Sequence, residues 1–166
     1  MLDDSLLKFS ESDVSLELAI RAHSGTSFSS EKRGASVVAG YVGDMQTAVE
    51  EFGQYVTDEN RAAIAADLAA YRDGYIKRLN AYLHAHSNVM STMITGPANF
   101  PVERNRKRGE TADKRRNEWV SWCNWKLDKM RDLYNPKRLA NAPIRADDDD
   151  AIGKLQDKIA KAEEQQ

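Results

Sequence analysis

Cysteine is almost missing from this chain. Cys123 is the single example in 166 residues, which excludes an internal disulfide and any zinc site built on several thiolates. Lying between Trp122 and Asn124 in a helical pattern, it reads as a small buried hydrophobe and is assigned no chemistry. Histidine is scarce as well. His84 and His86, two apart on a helix, face different ways, and His23 is remote, so no three-ligand metal set is announced. Walker loop, dinucleotide fingerprint, zinc-protease helix and nucleophile elbow are all absent. No catalytic residue, metal or cofactor is therefore expected. No run of 18 apolar residues exists to span a membrane, and the acidic opening Met1-Leu-Asp-Asp lacks the positive charge of a secretory leader. The expected location is the cytoplasm of the cell that makes the protein.

What is present is charge and helical periodicity. Charged residues make up 30% and hydrophobic residues 41% of the chain, with a mean hydropathy of -0.66, the composition of one soluble, much-exposed helical domain. The net charge of -2 hides an uneven distribution. Residues 1–95 carry 8 basic and 13 acidic side chains, residues 96–146 carry 13 and 6, and residues 147–166 carry 3 and 7. The middle block is the cationic outlier, and such segregation implies an anion-binding surface or its neutralisation by the acidic flanks.

Four helices and a tail follow from the spacing. A short helix is expected after a cap at Ser12 or Asp13 and runs to about His23. The Gly- and hydroxyl-rich stretch 24–30 is a loop, and a second helix starts near Ser29 or Ser30 and reaches about Tyr55. Its glycines 34, 40, 43 and 53 each cost about 1 kcal/mol against alanine, or mark close approach of a neighbouring helix. The longest pattern covers 58–90, capped by Asp58, with Ile64, Leu68, Tyr71, Tyr75, Leu79, Tyr82, His86 and Met90 along one seam. Pro97 breaks it. A fourth helix over 111–134 places Trp119, Cys123, Leu127, Met130 and Tyr134 on one stripe, with Trp122 beside it. The expected fold is all-α, a bundle or hairpin with one long central helix and a loosely attached C-terminal helix. The expected divisions are a helical domain 1–138, a linker 139–150 and a polar helix 151–166.

Within 94–125 the chain concentrates seven basic residues, Arg104, Arg106, Lys107, Arg108, Lys114, Arg115 and Arg116, followed by all three tryptophans. If 102–119 is helical, Arg104, Lys107, Arg108, Lys114 and Arg115 fall on one face of it. Such a ridge suits nucleic-acid phosphates, DNA or RNA, and about five contacts would give a log-log salt slope of about -4 to -5. Glu103, Glu110, Asp113 and Glu118 could instead tie the ridge up in local ion pairs, and Gly109 could split it. Trp119 and Trp122 lie on the apolar stripe, whereas Trp125 points away from it and is the candidate for an exposed contact. An equally open reading makes the same surface a hot spot for a host protein, with no nucleic acid involved. The acidic tail 147–166 could reach back and compete with an anionic ligand.

Two strings carry a resemblance. RAHSGTSFSSEKR at 21–33, and STMITGPANFPVERNRKR at 91–108 followed by Asn117-Glu118, resemble an accessory domain of the large polyvalent proteins of bacteriophages and conjugative elements, also found as small stand-alone phage proteins. The matching positions include His23, Ser24, Gly25, Thr26, Gly96, Pro97, Asn99, Phe100 and Asn105. The resemblance implies the context of an invading DNA element and protection from host defence, and it brings no catalytic role. It also allows that the two loops simply fit together at one end of a helical hairpin.

Overall fold

The structure is a computed structural model, and it describes residues 6–141 together with 143, 152, 153, 155, 156 and 159. Up to Asn141 the chain forms a 3-10 turn, Glu11–Asp13, and six α-helices: α1 Leu16–Ser24, α2 Ser30–Gly53, α3 Arg61–His86, α4 Thr92–Thr95, α5 Val102–Tyr134 and α6 Pro136–Asn141. The described residues contain no strand. The architecture is all-α. α3 is the spine, packed along α5 on one side and against α1 on the other, while α1 also lies along α2.

The core follows the expected seam, with one drift. Ile64, Leu68, Tyr71, Tyr75 and Leu79 are buried, and Leu83 then takes the place expected of Tyr82. A straight 3.6-residue helix turns its face gradually, so Leu83 closes the core and Tyr82 and His86 move to its margin. Tyr41, Met45, Ala48, Val49 and Phe52 from α2, and Cys123 and Met130 from α5, complete it. Two buried hydroxyls anchor to carboxylates: Tyr41 donates to Asp13 at 2.7 Å and Tyr75 to Asp44 at 2.6 Å.

Helix ends differ from the expected ones for identifiable reasons. Ser12 and Asp13 belong to the 3-10 turn, and α1 is capped by Ser15, whose Oγ accepts from Leu18 N at 3.1 Å. Asp58 does not cap α3, because Thr57 and Asn60 pair reciprocally and the helix starts three residues later. It ends at His86 rather than at 90, since the Ser87 hydroxyl and the Asn88 amide both donate to His84 O and turn the chain out. α5 is longer than the expected 111–134, running 33 residues straight through Gly109. α6 then begins on Pro136, where a missing N–H costs nothing, and continues into the stretch read as linker. The remainder of that linker lies outside the described residues except for Pro143. The same holds for the acidic tail, of which only five residues are described; Ile152, Leu155 and Ile159 among them are exposed.

One glycine marks a helix crossing in α2. A Cβ on Gly34 would stand 2.8 Å from Ile20 N and 3.0 Å from its Cα, whereas at Gly40 and Gly43 it would meet nothing within 4 Å. In α3, Gly74 makes room for the Trp122 indole.

Candidate nucleic-acid interface

The two resembling strings meet at one end of the α3–α5 hairpin, by contacts that periodicity does not reveal. The 23–26 turn docks on residues 86–91, which lead through α4 to GPANFP. Ser91 N donates to Gly25 O at 2.8 Å. A Cβ on Gly25 would press on Val89 O at 2.5 Å, so only glycine fits. The Thr26 hydroxyl lies 3.4 Å from His86 Nε2, and the His23 and His86 rings meet edge-on at 5.0 Å. Ser24 is more peripheral, its hydroxyl donating to Arg21 O in its own helix. Asn105, in the first turn of α5, grips the opposite strand of the loop with both ends of its amide: Met90 N donates to Oδ1 at 2.8 Å and Nδ2 donates to Met90 O at 2.9 Å. Asn105 is thus a clamp that fixes how α5 leaves the loop.

GPANFP provides the backbone route between them. Gly96 has φ 81° and ψ 159°, a region essentially closed to other residues, and Asn99 sits in the left-handed region at φ 54°. Pro97 is exposed and its carbonyl accepts from Phe100 N, while Phe100 is half-buried. These matching positions shape the loop.

Burial lowers the pKa of both His23 and His86. For His23 the neighbouring His86 and Arg33 push in the same direction, and for His86 the Asp113 carboxylate partly opposes it. Each ring therefore favours its neutral form in the fold more than in the unfolded chain, so the unfolded chain binds more protons below about pH 6.5. The stability tied to these groups is complete above that pH and is lost as pH falls through the lowered folded values. Urea midpoints should drop between pH 7.5 and pH 5, and His86→Gln should flatten that drop.

The basic residues divide into tied and free. Arg106 bonds to Glu103 and Glu110, and Arg115 to Glu118 at 2.8 Å. Arg104, Lys107, Arg108, Lys114 and Arg116 form no ion pair among the described residues. Since α5 does not break at Gly109, the ridge is continuous. Its N-terminal part is concave: Arg104, Lys107, Arg108 and Thr111, at i, i+3, i+4 and i+7, line an open cleft of about 310 Å³ whose far wall is Ala85 and Asn88 at the end of α3. Farther along, Lys114 sits in a shallow depression with Glu110, Asp113 and Glu118, where the field is mixed. Arg116 lies on the flank facing α3, close enough to Tyr82 to act on its hydroxyl.

The tryptophans separate as the stripe implied. Trp119 packs edge-on to Tyr75 at 5.1 Å and stacks on Tyr82; Trp122 stacks on Tyr71 at 6.1 Å and carries the Arg78 guanidinium 3.9 Å from its ring centroid. Trp125 is 54% exposed. At 100° per residue it shares the azimuth of Lys107, about 27 Å farther along the helix. Cys123 is buried, and burial pushes its thiol up to about 11, so it is a poor nucleophile.

Two features escaped the sequence reading. A groove of about 260 Å³ lies between α2 and α5, lined among others by Asp44, Glu51, Cys123, Leu127 and Arg131. Glu51 and Arg131, which pair across it at 2.5 Å, are 80 residues apart, beyond any local signal. The second is three exposed apolar side chains on the segments at the loop end of the hairpin, Phe28, Met93 and Val102. No group of three His, Cys, Asp or Glu residues among those described is placed to hold a metal, and no described helix is long and apolar enough to cross a membrane.

The fold and site define an all-helical protein that presents a partly unneutralised cationic helix beside a rigid loop junction. No protein-family model matches the chain, and no curated protein or solved structure is significantly similar to it.

Proposed function

We propose that this is a nucleic-acid-binding accessory protein of a bacteriophage or other mobile element, acting in the host cytoplasm in protection of the element, and that α5 is its binding surface. The element and its context rest on the two resembling strings. The binding reading rests on one observation: Arg104, Lys107, Arg108 and Lys114 lie along one unbroken helix and form no ion pair among the described residues. Lattices of phosphate reward such a row through counterion release, which does not require the bases to be read. Because Arg106 and Arg115 are held by glutamates and Arg116 faces α3, four contacts replace the five expected from spacing. The log-log salt slope on duplex DNA or RNA should be about -3 to -4. Fluorescence anisotropy at several salt concentrations measures it, and binding that is absent or indifferent to salt removes the reading.

The exposed Phe28, Met93 and Val102 favour a second reading, an inhibitor or adaptor that docks on a host protein without nucleic acid. Capture of the same partner from nuclease-treated and untreated lysate, lost on Phe28→Ser with Met93→Ser, would select it.

A further inference from the structure

We propose that the cleft between the end of α3 and the first turns of α5 is a phosphomonoester site and, granted the nucleic-acid reading above, that its ligand is the phosphorylated end of a strand. Arg104, Lys107 and Arg108 all line this one depression, and neither wall neutralises them. The chain has no acidic residue between Asp73 and Glu103, so the α3 wall and the loop offer no carboxylate. The two glutamates nearest in sequence, Glu103 and Glu110, are engaged by Arg106.

A structural role for the three cations, satisfying the carbonyls that end α3, is already filled. Leu83 O accepts from Ser87 N, His84 O from the Ser87 hydroxyl and the Asn88 amide, Ala85 O from Asn88 N, and His86 O from Val89 N. Thr111 directs its hydroxyl to Lys107 O and Asn88 its amide to His84 O, so Arg104, Lys107 and Arg108 are the donors left facing the cleft. The Asn105 clamp on Met90 ties the start of α5 to the loop that follows α3, so the protein's own hydrogen bonds fix the two walls.

Three cations converging on one concavity match a compact dianion better than a row of single charges. A phosphomonoester, whose second ionisation lies near pH 6, is such a dianion at neutral pH, and its three terminal oxygens accept in several directions. An internal phosphodiester carries one charge and must pass through the site with chain on both sides. The same chemistry could arrive as a free mononucleotide, which the test separates.

The test compares one labelled single-stranded oligonucleotide bearing a 5′-phosphate, a 3′-phosphate or neither. The phosphorylated end should bind about tenfold more tightly than the hydroxyl end. That preference should vanish in the triple variant Arg104→Ala, Lys107→Ala, Arg108→Ala and survive in Lys114→Ala. Circular dichroism checks the fold of the triple variant, and Lys107→Glu alone replaces it if that chain does not fold. Adenosine monophosphate should displace the strand where dimethyl phosphate at equal concentration does not. Equal affinity for all ends, or a preference that survives in the folded triple variant, overturns the phosphomonoester site while leaving the nucleic-acid reading intact. If no strand binds but adenosine monophosphate shifts the amide resonances of residues 104–111, the cleft is confirmed as a mononucleotide site and the nucleic-acid reading falls. If neither binds, both fall.

Discussion

Trp122→Ala should destabilise the protein by about 3 kcal/mol, the lower end of the cost of truncating a core tryptophan, because its indole is only partly buried. The ring lies parallel to Tyr71 and beneath Arg78, and Gly74 of α3 touches its six-membered edge directly. That last contact makes a sharper experiment available. Alanine is the better helix former by about 1 kcal/mol, so Gly74→Ala in an exposed helix would stabilise. Here the added methyl group overlaps an indole stacked against Tyr71, and the net effect should be a loss of about 1–2 kcal/mol. In the Trp122→Ala background the obstacle is gone and the same substitution should gain up to about 1 kcal/mol. A double-mutant cycle in urea reads the difference directly. Gly74→Ala that behaves alike in both backgrounds would show that α3 and α5 do not pack as described.

Gly34→Ala should cost about 2 kcal/mol, by overpacking at the α1–α2 crossing. The new Cβ would meet Ile20 N at 2.8 Å, and backbone cannot step aside by a rotamer change, so the helices must separate. Gly40→Ala and Gly43→Ala lie in the same helix with open space around them, and each should stabilise by up to about 1 kcal/mol. The contrast in sign among three identical substitutions is the test. A uniform gain at all three would place α1 elsewhere.

Much of the site and fold was written in local pattern. The spacing of Ile64, Leu68, Tyr71, Tyr75 and Leu79 determined the spine, because a helix repeats its face every 3.6 residues whatever surrounds it. The outward direction of Trp125 and the inward directions of Trp119 and Trp122 follow from the same rule. Pro97 stops only the short α4, through a missing N–H and a steric clash that are properties of a single residue, since α3 has already ended at His86. The concentration of cations in 104–116 is composition alone.

Tertiary structure decided which of those cations are available and what the loops do. Whether Lys107 faces a cleft depends on α3 ending at His86, and whether Arg116 stands beside another helix depends on where α3 places Tyr82. Asn105 clamping Met90 and Gly25 yielding to Val89 O join positions 15 and 64 residues apart in the chain. Gly34, Gly40 and Gly43 are indistinguishable as letters, and only the crossing of α1 makes one of them indispensable. The physical reason is common to all these cases. Periodicity reports which way a side chain points from its own helix, and a contact requires the second surface as well, which is set by the packing of the whole chain.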